Sequence, residues 1–412
     1  MKNQWLIIAD DLTGAADCGI AFSKVGLSTV VVWDSEAKGD HAVWSIDANS
    51  RALPSQKAAE KQMALLKAYH QPHTLVYKKI DSTMRGQPIA ELLMELEYLE
   101  KSRNKHQIAL LAPAFPATGR TTESGHIRVS GVPLEHTPLW ARDHTYETGH
   151  LPTILESFGL KTLSLSLSQI REGVETIKTC LTEALERKVA AVVCDAVSED
   201  DLAIIATASL PLAENLLWVG SGGLSGHLAK QCFDSEVVSS PRTQVAINKP
   251  ILFAVGSLAE ASQKQVDYLT QEEKIKRITI SIEALVEKNW ALLQTELKQE
   301  LEKNHDVIVK IGSSSHPNLS KGPDFAASLS EFVETSISQV GALVMTGGET
   351  GCALLSRLGV TGIKLIDEIE PGVPLGITIG KTIIPVVSKA GAFGDEKTMK
   401  RCLTHLKKGK NP

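Results

Sequence analysis

The sequence lacks the features that mark several large functional classes. No apolar run reaches the roughly 18 residues that a membrane-spanning helix needs, and no signal-peptide pattern precedes the first strand-like segment. Basic residues are not in excess, because 43 Lys and Arg stand against 48 Asp and Glu, for a net charge of −5. This balance argues against a nucleic-acid-binding surface. We therefore expect a cytoplasmic protein that acts on small molecules, as a monomer or as a homo-oligomer.

Familiar metal and nucleotide motifs are also missing. The six cysteines are far apart and form no C-x-x-C pair or Cys/His spacing typical of zinc, so no metal ligands are assigned. The chain contains neither the Gly-Lys-Ser/Thr of a P-loop nor the G-x-G-x-x-G of a dinucleotide-binding turn. Any nucleotide site must therefore be of another design.

Short apolar runs alternate with helical stretches along the whole chain. The runs include WLIIA, TLVYKKI and VAAVVCD in the first half and ILFAVGS, DVIVKIG and ALVMTGG in the second. Such alternation predicts an α/β fold with largely parallel, helix-covered sheets, and 412 residues are enough for two domains. We predict a substrate domain at 1–232, a polar linker at 233–250 and a nucleotide domain at 251–408, with the active site in the cleft between the domains.

Two local features give more specific predictions. The segment 113–149 is rich in turn residues and too long for a simple connection, so we expect an excursion near the site, with a short hairpin around Ser130 and Gly131. In the second half, periodic apolar residues predict one long helix from about Ile282 to Lys303.

Two adjacent aspartates follow the first predicted strand, in the stretch IIADDLTGAAD. One of them is explained as the N-cap of the next helix, where a carboxylate satisfies unpaired amides. The second needs another explanation, and we expect it to face a ligand hydroxyl or a cation. Phosphatases of the haloacid-dehalogenase type need one residue between their two aspartates, so the adjacent pair argues against them. We expect Asp10 to hold the turn and Asp11 to face the ligand.

Two further strand ends in the first half carry clustered charges. SIDANSRALP places Arg51 after an apolar run, and YKKIDSTMRGQP brings two lysines, Asp81 and Arg85 to the end of another. Ligands of open α/β sheets bind at the carboxyl ends of the strands, so these side chains are candidates for a pocket. The cations suit the carboxylate of a polyhydroxy acid, and the oxygens suit its hydroxyls. A solvated loop arginine explains Arg51 equally well on its own, and capping explains part of the Asp81 cluster.

Glycine-rich turns follow three predicted strands of the second half, in AVGSLAEAS, VMTGGETGCAL and SKAGAFGDEKT. Glycines after a strand let backbone amides approach phosphate oxygens, and a helix N-terminus favours negative charge. One such turn is weak support, but three of them predict a nucleotide polyphosphate site. A fourth glycine run, WVGSGGLSG, is explained equally well as an anion cradle or as room for close helix packing.

The motifs IADDLTGAAD, SIDANSRA, KKIDSTMRG, TGGETG and KAGAFGD together resemble those of the four-carbon acid sugar kinase family, most of all its D-threonate kinase branch. The resemblance covers nearly the whole chain. It implies a kinase that uses ATP and Mg2+ to phosphorylate the C4 hydroxyl of a four-carbon sugar acid, with D-threonate giving 4-phospho-D-threonate. The last turn departs from the Lys-Ser-Gly-Asn-Phe-Gly run common in the family, because Ala390 and Ala392 replace its Ser and Asn.

The motifs and the resemblance imply roles for individual residues. Asp11 and Asp395 are the candidates for the catalytic base. The expected substrate-binding residues are Asp10, Asp11, Arg51, Lys79, Asp81, Ser82, Thr83, Met84 and Arg85. The expected nucleotide-binding residues are Gly256, Ser257, Gly347, Gly348, Glu349, Thr350, Gly391, Phe393 and Gly394.

Two alternatives stay open at this point. The substrate of the kinase could be another tetronate (D-erythronate, L-threonate or 3-oxo-tetronate) or a five- or six-carbon sugar acid. The chain could also be a nucleotide sensor without catalytic activity, which would bind ATP and release no ADP with any sugar acid. The acids and cations at the strand ends of the first half favour catalysis, because a sensor has no need of a second polar pocket.

Overall fold

A computed structural model describes residues 4–33, 37, 39–142, 144–232, 247–273, 275–312 and 322–408. The chain divides into two compact units, Met1–Val238 and Ser239–Pro412. Most of the predicted linker, at 233–246, lies outside the described residues, so its boundaries stay a prediction. None of the helices in these ranges combines the length and the apolar character that crossing a bilayer requires.

The first unit contains, within the described residues, a parallel sheet of eight strands and an antiparallel sheet of three. Its strands are β1 (Trp5–Ala9), β2 (Thr29–Val32), β3 (Val43–Asp47), β4 (Leu75–Lys79), β5 (Ile108–Ala112), β6 (Arg120–Glu123), β7 (His126–Val129), β8 (Val132–Pro133), β9 (Thr162–Leu165), β10 (Ala191–Cys194) and β11 (Leu216–Gly220). The parallel sheet has the order β2-β3-β1-β4-β11-β5-β10-β9, and β6, β7 and β8 form the antiparallel sheet.

Helices connect the parallel strands of this unit. They are α1 (Leu12–Lys24), α2 (Ser55–Tyr69), α3 (Pro88–Arg103), α4 (Pro138–Arg142), α5 (Leu151–Ser157), α6 (Leu167–Arg171), α7 (Val174–Glu186), α8 (Glu199–Ser209) and α9 (Gly222–Cys232). Side chains along a strand alternate between the sheet faces, so Trp5 and Ile7 lie in one apolar core while Leu6 and Ile8 lie in another. Two buried faces explain why WLIIA is apolar at every position.

The excursion at 113–149 contains the predicted hairpin. Ser130 and Gly131 join β7 to β8, and both have positive φ, 50° and 81°. The prediction of a hairpin at these two residues is therefore confirmed.

Most strands of the second unit pair in parallel with their neighbours. The strands are β12 (Ile251–Val255), β13 (Lys276–Ile280), β14 (Val307–Ile311), β15 (Ala342–Thr346), β16 (Val360–Glu368), β17 (Pro374–Gly380) and β18 (Pro385–Lys389). The helices are α10 (Glu260–Glu273), α11 (Ile282–Glu287), α12 (Ala291–Glu302), α13 (Gly322–Glu334), α14 (Gly348–Arg357) and α15 (Thr398–Lys407). The strand order is β13-β14-β12-β15-β18-β17-β16, with β17 antiparallel to both neighbours. The predicted α/β class with largely parallel sheets is confirmed.

The predicted long helix from Ile282 to Lys303 is wrong, because the chain forms two helices there. Lys288 takes a left-handed backbone conformation, with φ of 55°, and ends α11. Trp290 is buried and its ring packs edge-on against Phe332, with ring centroids 6.2 Å apart. The buried ring of Trp290 holds the chain between α11 and α12, and the periodicity of the apolar residues alone does not reveal this break between the helices.

Candidate functional site

Three neighbouring strands of the first unit end at one edge of the sheet and bring the first three charged motifs together. β1 pairs in parallel with both β3 and β4, so the residues that follow the three strands are neighbours in space. Gly86, near the end of the third motif, shows how closely the three motifs approach one another. A Cβ built on it would lie 3.3 Å from Asp10 Oδ2 and 3.4 Å from Arg51 Cγ.

Arg51 is the centre of this polar cluster. Its Nε and Nη2 donate to the two carboxylate oxygens of Asp10, at 2.6 and 2.8 Å, and its Nη1 donates to Asp11 Oδ2 at 2.8 Å. The Nη2 also lies 3.9 Å from Asp81 Oδ2. A planar guanidinium that binds one carboxylate through two hydrogen bonds fixes its orientation as well as its charge. Arg51 therefore holds both adjacent aspartates in place.

Asp11, and not Asp10, is the N-cap of α1. Its Oδ1 accepts from the Gly14 N–H and its Oδ2 accepts from the Thr13 hydroxyl, each at 2.8 Å. The prediction that Asp10 holds the turn is wrong, because the residue with extended backbone directly before α1 is Asp11. Asp10 is instead buried against Arg51, with 4% of its side chain exposed. Asp11 therefore has the capping role that was predicted for Asp10, and its contact with a ligand stays a prediction.

The two lysines at the end of β4 point to opposite faces of the sheet. Lys79 Nζ lies 2.6 Å from the place that a Cβ on Gly14 would take, at the start of α1. Burial acts to raise the pKa of Asp11, but Arg51 and Lys79 outweigh it and hold that pKa below its ordinary value. For Asp10 burial prevails, and its pKa is raised.

Lys78 is fully buried on the other face, so the expectation that both lysines reach the pocket is wrong. Its ammonium donates to Gln62 Oε1 at 2.7 Å, to Glu95 Oε1 at 3.0 Å and to Glu91 Oε2 at 3.1 Å. The Ser50 hydroxyl donates to Glu91 Oε1 at 2.9 Å. The buried ion pairs thus support the residue that precedes Arg51 in the chain.

Asp81 organises the loop after β4. Its carboxylate accepts from the Thr83 N–H and hydroxyl, and from Arg85 Nε at 3.1 Å and Nη2 at 2.6 Å. Burial acts to raise the pKa of Asp81, yet Arg85 and Arg51 hold it well below its ordinary value. Met84 has a positive φ of 60°, and its side chain lies in the apolar core. The buried side chain leaves the Met84 backbone as the part that can face the site, and the expected substrate contact of Met84 stays a prediction.

The three glycine turns of the second unit are in contact with one another. They follow β12, β15 and β18, which are parallel neighbours. A Cβ on Gly256 would lie 1.9 Å from Thr350 Oγ1, and one on Gly391 would lie 1.9 Å from Ser257 Oγ. Real Cβ atoms do not come so close, so glycine is needed at both positions. The predicted nucleotide-binding residues therefore meet at one sheet edge.

The N-terminus of α14 opens at this edge. Gly347 is its N-cap, with φ of 92° and no capping side-chain hydrogen bond. The amides in the first turn of a helix have no partner within the helix and favour an anion. Thr350 is buried in that turn, and Glu349 beside it is exposed. The turn can thus offer amide donors to a phosphate.

Asp395 has the geometry of a surface ion pair. Its side chain is 62% exposed and accepts from Arg401 Nη2 at 2.7 Å and from the Lys397 N–H at 2.8 Å. The hydrogen bond from Arg401 lowers the pKa of this carboxyl. Asp11 also has a lowered pKa, so the difference between the two candidates is exposure: a carboxylate in a surface ion pair with Arg401 is not held in a pocket, which counts against Asp395 as a base.

The fourth glycine run serves close packing. A Cβ on Gly222 would lie 2.3 Å from Asp17 Oδ2, and one on Gly223 would lie 2.4 Å from the Ala114 carbonyl oxygen. The carboxylate of Asp17 thus lies beside the first residue of α9, where negative charge is favourable. Of the two interpretations left open by the sequence, the geometry supports the packing one.

Comparison with known proteins assigns the family. The sequence matches two family models, a sugar-binding N-terminal domain over residues 5–228 and a nucleotide-binding C-terminal domain over residues 252–399. It is 36% identical to a Cupriavidus necator protein named D-threonate kinase, with 96% of each chain covered. The chain belongs to the four-carbon acid sugar kinase family. A Salmonella typhimurium D-threonate kinase is 30% identical, over 97% of this chain and 98% of that one.

Solved structures agree with the fold of this four-carbon acid sugar kinase. A Salmonella typhimurium LT2 protein superposes with a TM-score of 0.81 at 20% identity, over 97% of this chain and 98% of that one. Within the family, relatives at 24 to 28% identity are named D-erythronate kinase or 3-oxo-tetronate kinase. The resemblance inferred from the motifs is confirmed, and members of the family differ in their named substrates.

One buried acid of this family member was not among the predicted site residues. Asp47 ends β3, and its Oδ1 accepts from the Asn49 N–H at 2.6 Å. Its Oδ2 is buried and has no hydrogen-bond partner in the described part of the chain. Burial and the charge of Asp11 raise the pKa of Asp47 to about 7. Its place at a strand end, four residues before Arg51, was the signal available in the sequence.

Proposed function

We propose that the chain is an ATP-dependent kinase for the C4 hydroxyl of a four-carbon sugar acid, converting D-threonate to 4-phospho-D-threonate. The observation that carries the proposal is the full-length match to proteins named D-threonate kinase, which extends over both units. The cluster around Arg51 supplies hydroxyl acceptors and cations, and the glycine turns supply amide donors for phosphates. Phosphoryl transfer asks for such positioning and charge neutralisation more than for covalent chemistry.

In this proposal the first unit binds the sugar acid. Asp11 Oδ1 accepts one hydrogen bond from the protein, which leaves an acceptor position for a substrate hydroxyl. Three of the five N–H donors of Arg51 go to Asp10 and Asp11, and the others are available to a substrate carboxylate. Lys79 adds positive charge beside the same two aspartates.

Magnesium would enter with the nucleotide. The described residues contain no group of three or more His, Cys, Asp or Glu side chains that could hold a metal ion. Mg2+ that is bound to phosphate oxygens keeps most of its waters and needs one or two protein carboxylates at most. A single carboxylate beside the glycine turns is therefore enough to hold it. Glu349, in the first turn of α14, is the carboxylate that would hold it. When bound, the ion neutralises charge on the phosphates.

A coupled assay of ADP release tests the proposal. The panel is D-threonate, L-threonate, D-erythronate, L-erythronate and the 3-oxo acid, each at millimolar concentration with ATP and Mg2+. We expect the highest kcat/KM with D-threonate and a product phosphorylated at C4. If only another tetronate were turned over, that acid would replace D-threonate as the proposed substrate. If the protein bound ADP and turned over none of the acids, the nucleotide sensor would be favoured.

Replacing Asp11 by Asn should lower kcat by about a hundredfold, whereas Asp395→Asn should change it only a few-fold. Asn is as good an N-cap as Asp, so the first change removes charge while it keeps the cap of α1. Asp395 is exposed and paired with Arg401. Steady-state kinetics with the sugar acid that the panel selects measures both. An active Asp11→Asn beside an inactive Asp395→Asn would reverse the assignment.

A further inference from the structure

A buried lysine lies directly behind the last glycine turn. Lys389 ends β18, and its side chain is fully buried. In the described residues its ammonium donates one hydrogen bond, to the Ala390 carbonyl oxygen at 3.0 Å. Glu370, the carboxylate whose charge acts on Lys389, already accepts from Thr398 at 2.6 Å and from Arg401. A buried ammonium without an ion pair costs stability, so this one needs an explanation.

The turn that follows Lys389 is anchored through its carbonyl groups. The pairs are Ala390 O with the Phe393 N–H (3.1 Å), Gly391 O with Ser262 Oγ (2.8 Å) and Phe393 O with Gln265 Nε2 (2.9 Å). In a trans peptide the C=O and the next N–H point in opposite directions. The N–H groups of Gly391, Ala392 and Gly394 therefore point away from these anchors. A turn held in this way offers its amides to an anion.

We propose that the Lys389 ammonium is the fixed positive charge of a site for nucleoside di- or triphosphates at this turn. Its hydrogen bond to the Ala390 carbonyl polarises the Ala390–Gly391 peptide and so strengthens the Gly391 N–H as a donor. Because the ammonium is buried, solvent screens its charge less than that of an exposed lysine. The inference rests on the proposed use of ATP and adds to it a residue that acts from behind the turn.

Lys389→Met tests the role of the charge by calorimetric titration with ADP and Mg2+. We expect the Kd for ADP to rise about tenfold or more, as for loss of one charge-assisted interaction. The melting temperature should stay the same or rise, because methionine fills the space without a buried charge. If Lys389 had only a structural role, its replacement by methionine would lower the melting temperature. The matched control is Lys276→Met, which removes a lysine paired with Glu296 at the first residue of β13 and should bind ADP like the wild type.

The pH dependence of ADP binding to the unmodified protein tests the same idea without a variant. Burial lowers the pKa of Lys389 to about 8, although the charge of Glu370 acts to raise it. The ammonium is charged below that pH, and bound phosphate raises its pKa further. The Kd for ADP should therefore be flat near pH 7 and rise between pH 8 and 10, and this rise should be absent in Lys389→Met.

Two results would overturn the inference and leave the proposed function intact. One is a folded Lys389→Met that binds ADP as the wild type does. The other is a wild-type Kd that stays constant from pH 7 to 10, which decides the question even if the variant does not fold. Failure of the wild type to bind ADP at any pH would overturn the inference and the proposed kinase together.

Discussion

Arg51→Met should lower kcat/KM for the sugar acid by about a thousandfold and leave the Kd for ADP unchanged. The guanidinium fixes both adjacent aspartates through three hydrogen bonds of 2.6 to 2.8 Å. Without it, Asp10 and Asp11 repel each other at the position where the sugar hydroxyls would bind. Steady-state kinetics measures the first effect, and ADP titration measures the second.

The same variant should lose about 3 kcal/mol in its free energy of unfolding near neutral pH, because it leaves a buried carboxylate without its partner. The sign of the pH effect follows from protonation. The folded-state pKa of Asp10 is already raised, and removing Arg51 raises the pKa values of both carboxyls further, so protonation at lower pH relieves the unpaired charge. The deficit relative to wild type should therefore shrink as the pH falls from 7.5 to 5.5. Urea unfolding at several pH values measures it.

Arg171→Met is the matched control in the same unit. Arg171 also binds an aspartate through two nitrogens, with distances of 2.9 and 3.2 Å to Asp201, but 53% of its side chain is exposed. Asp201 is buried but also accepts from the Val197 and Ser198 N–H groups at 3.0 Å, so activity should stay near the wild type and stability should fall much less than in Arg51→Met. If Arg171→Met lost as much activity as Arg51→Met, the special role of the Arg51 cluster would be refuted.

Lys78→Met should be the most destabilising single change in the first unit, at about 3 to 5 kcal/mol. The ammonium is the partner of two glutamates whose side chains are 0 and 1% exposed. Its loss leaves two buried glutamates without their cation, beneath the loop that carries Arg51. The free energy of unfolding in urea measures the effect, and a change below 1 kcal/mol would contradict it.

Glu95→Gln provides the opposite control in the same network. Burial raises the pKa of Glu95 to about 7, although Lys78 acts to lower it. A carboxyl with a folded pKa above its unfolded value loses stability as the pH rises through that range. Glu95→Gln should therefore match the wild type near pH 5 and be more stable than it near pH 8. In combination it should also recover part of the loss caused by Lys78→Met.

The sequence predicts the parts of this molecule that follow from periodicity and from strand order. Runs such as WLIIA are buried on both faces, which marks them as strands of a parallel sheet. Charged residues after such runs then meet at one edge, as Arg51 and Asp11 do. Glycines that follow parallel neighbours meet in the same way, as Gly256 and Gly391 show through their contacts with Thr350 and Ser257.

Other features depend on contacts that a linear pattern does not contain. The hairpin of β16 and β17 does not follow from the sequence pattern, because the register of β16 against β17 shifts between Val360 and Gly362 and again between Leu365 and Asp367. These shifts interrupt the alternation of side chains. The division of labour between Asp10 and Asp11 depends on which residue has extended backbone before α1. The buried charge of Lys389 is visible only once its burial is known.

The opposite orientation of Lys78 and Lys79 matters for anyone who redesigns the substrate range of this protein. A library that randomises the end of β4 as one block would vary two residues with unrelated tolerance. Position 79 lies near Asp10 and Asp11, and we expect its variants to report on ligand choice. Position 78 is fully buried on the opposite face of the sheet, and its variants should report on folding. Holding Lys78 fixed keeps the surviving clones informative about specificity.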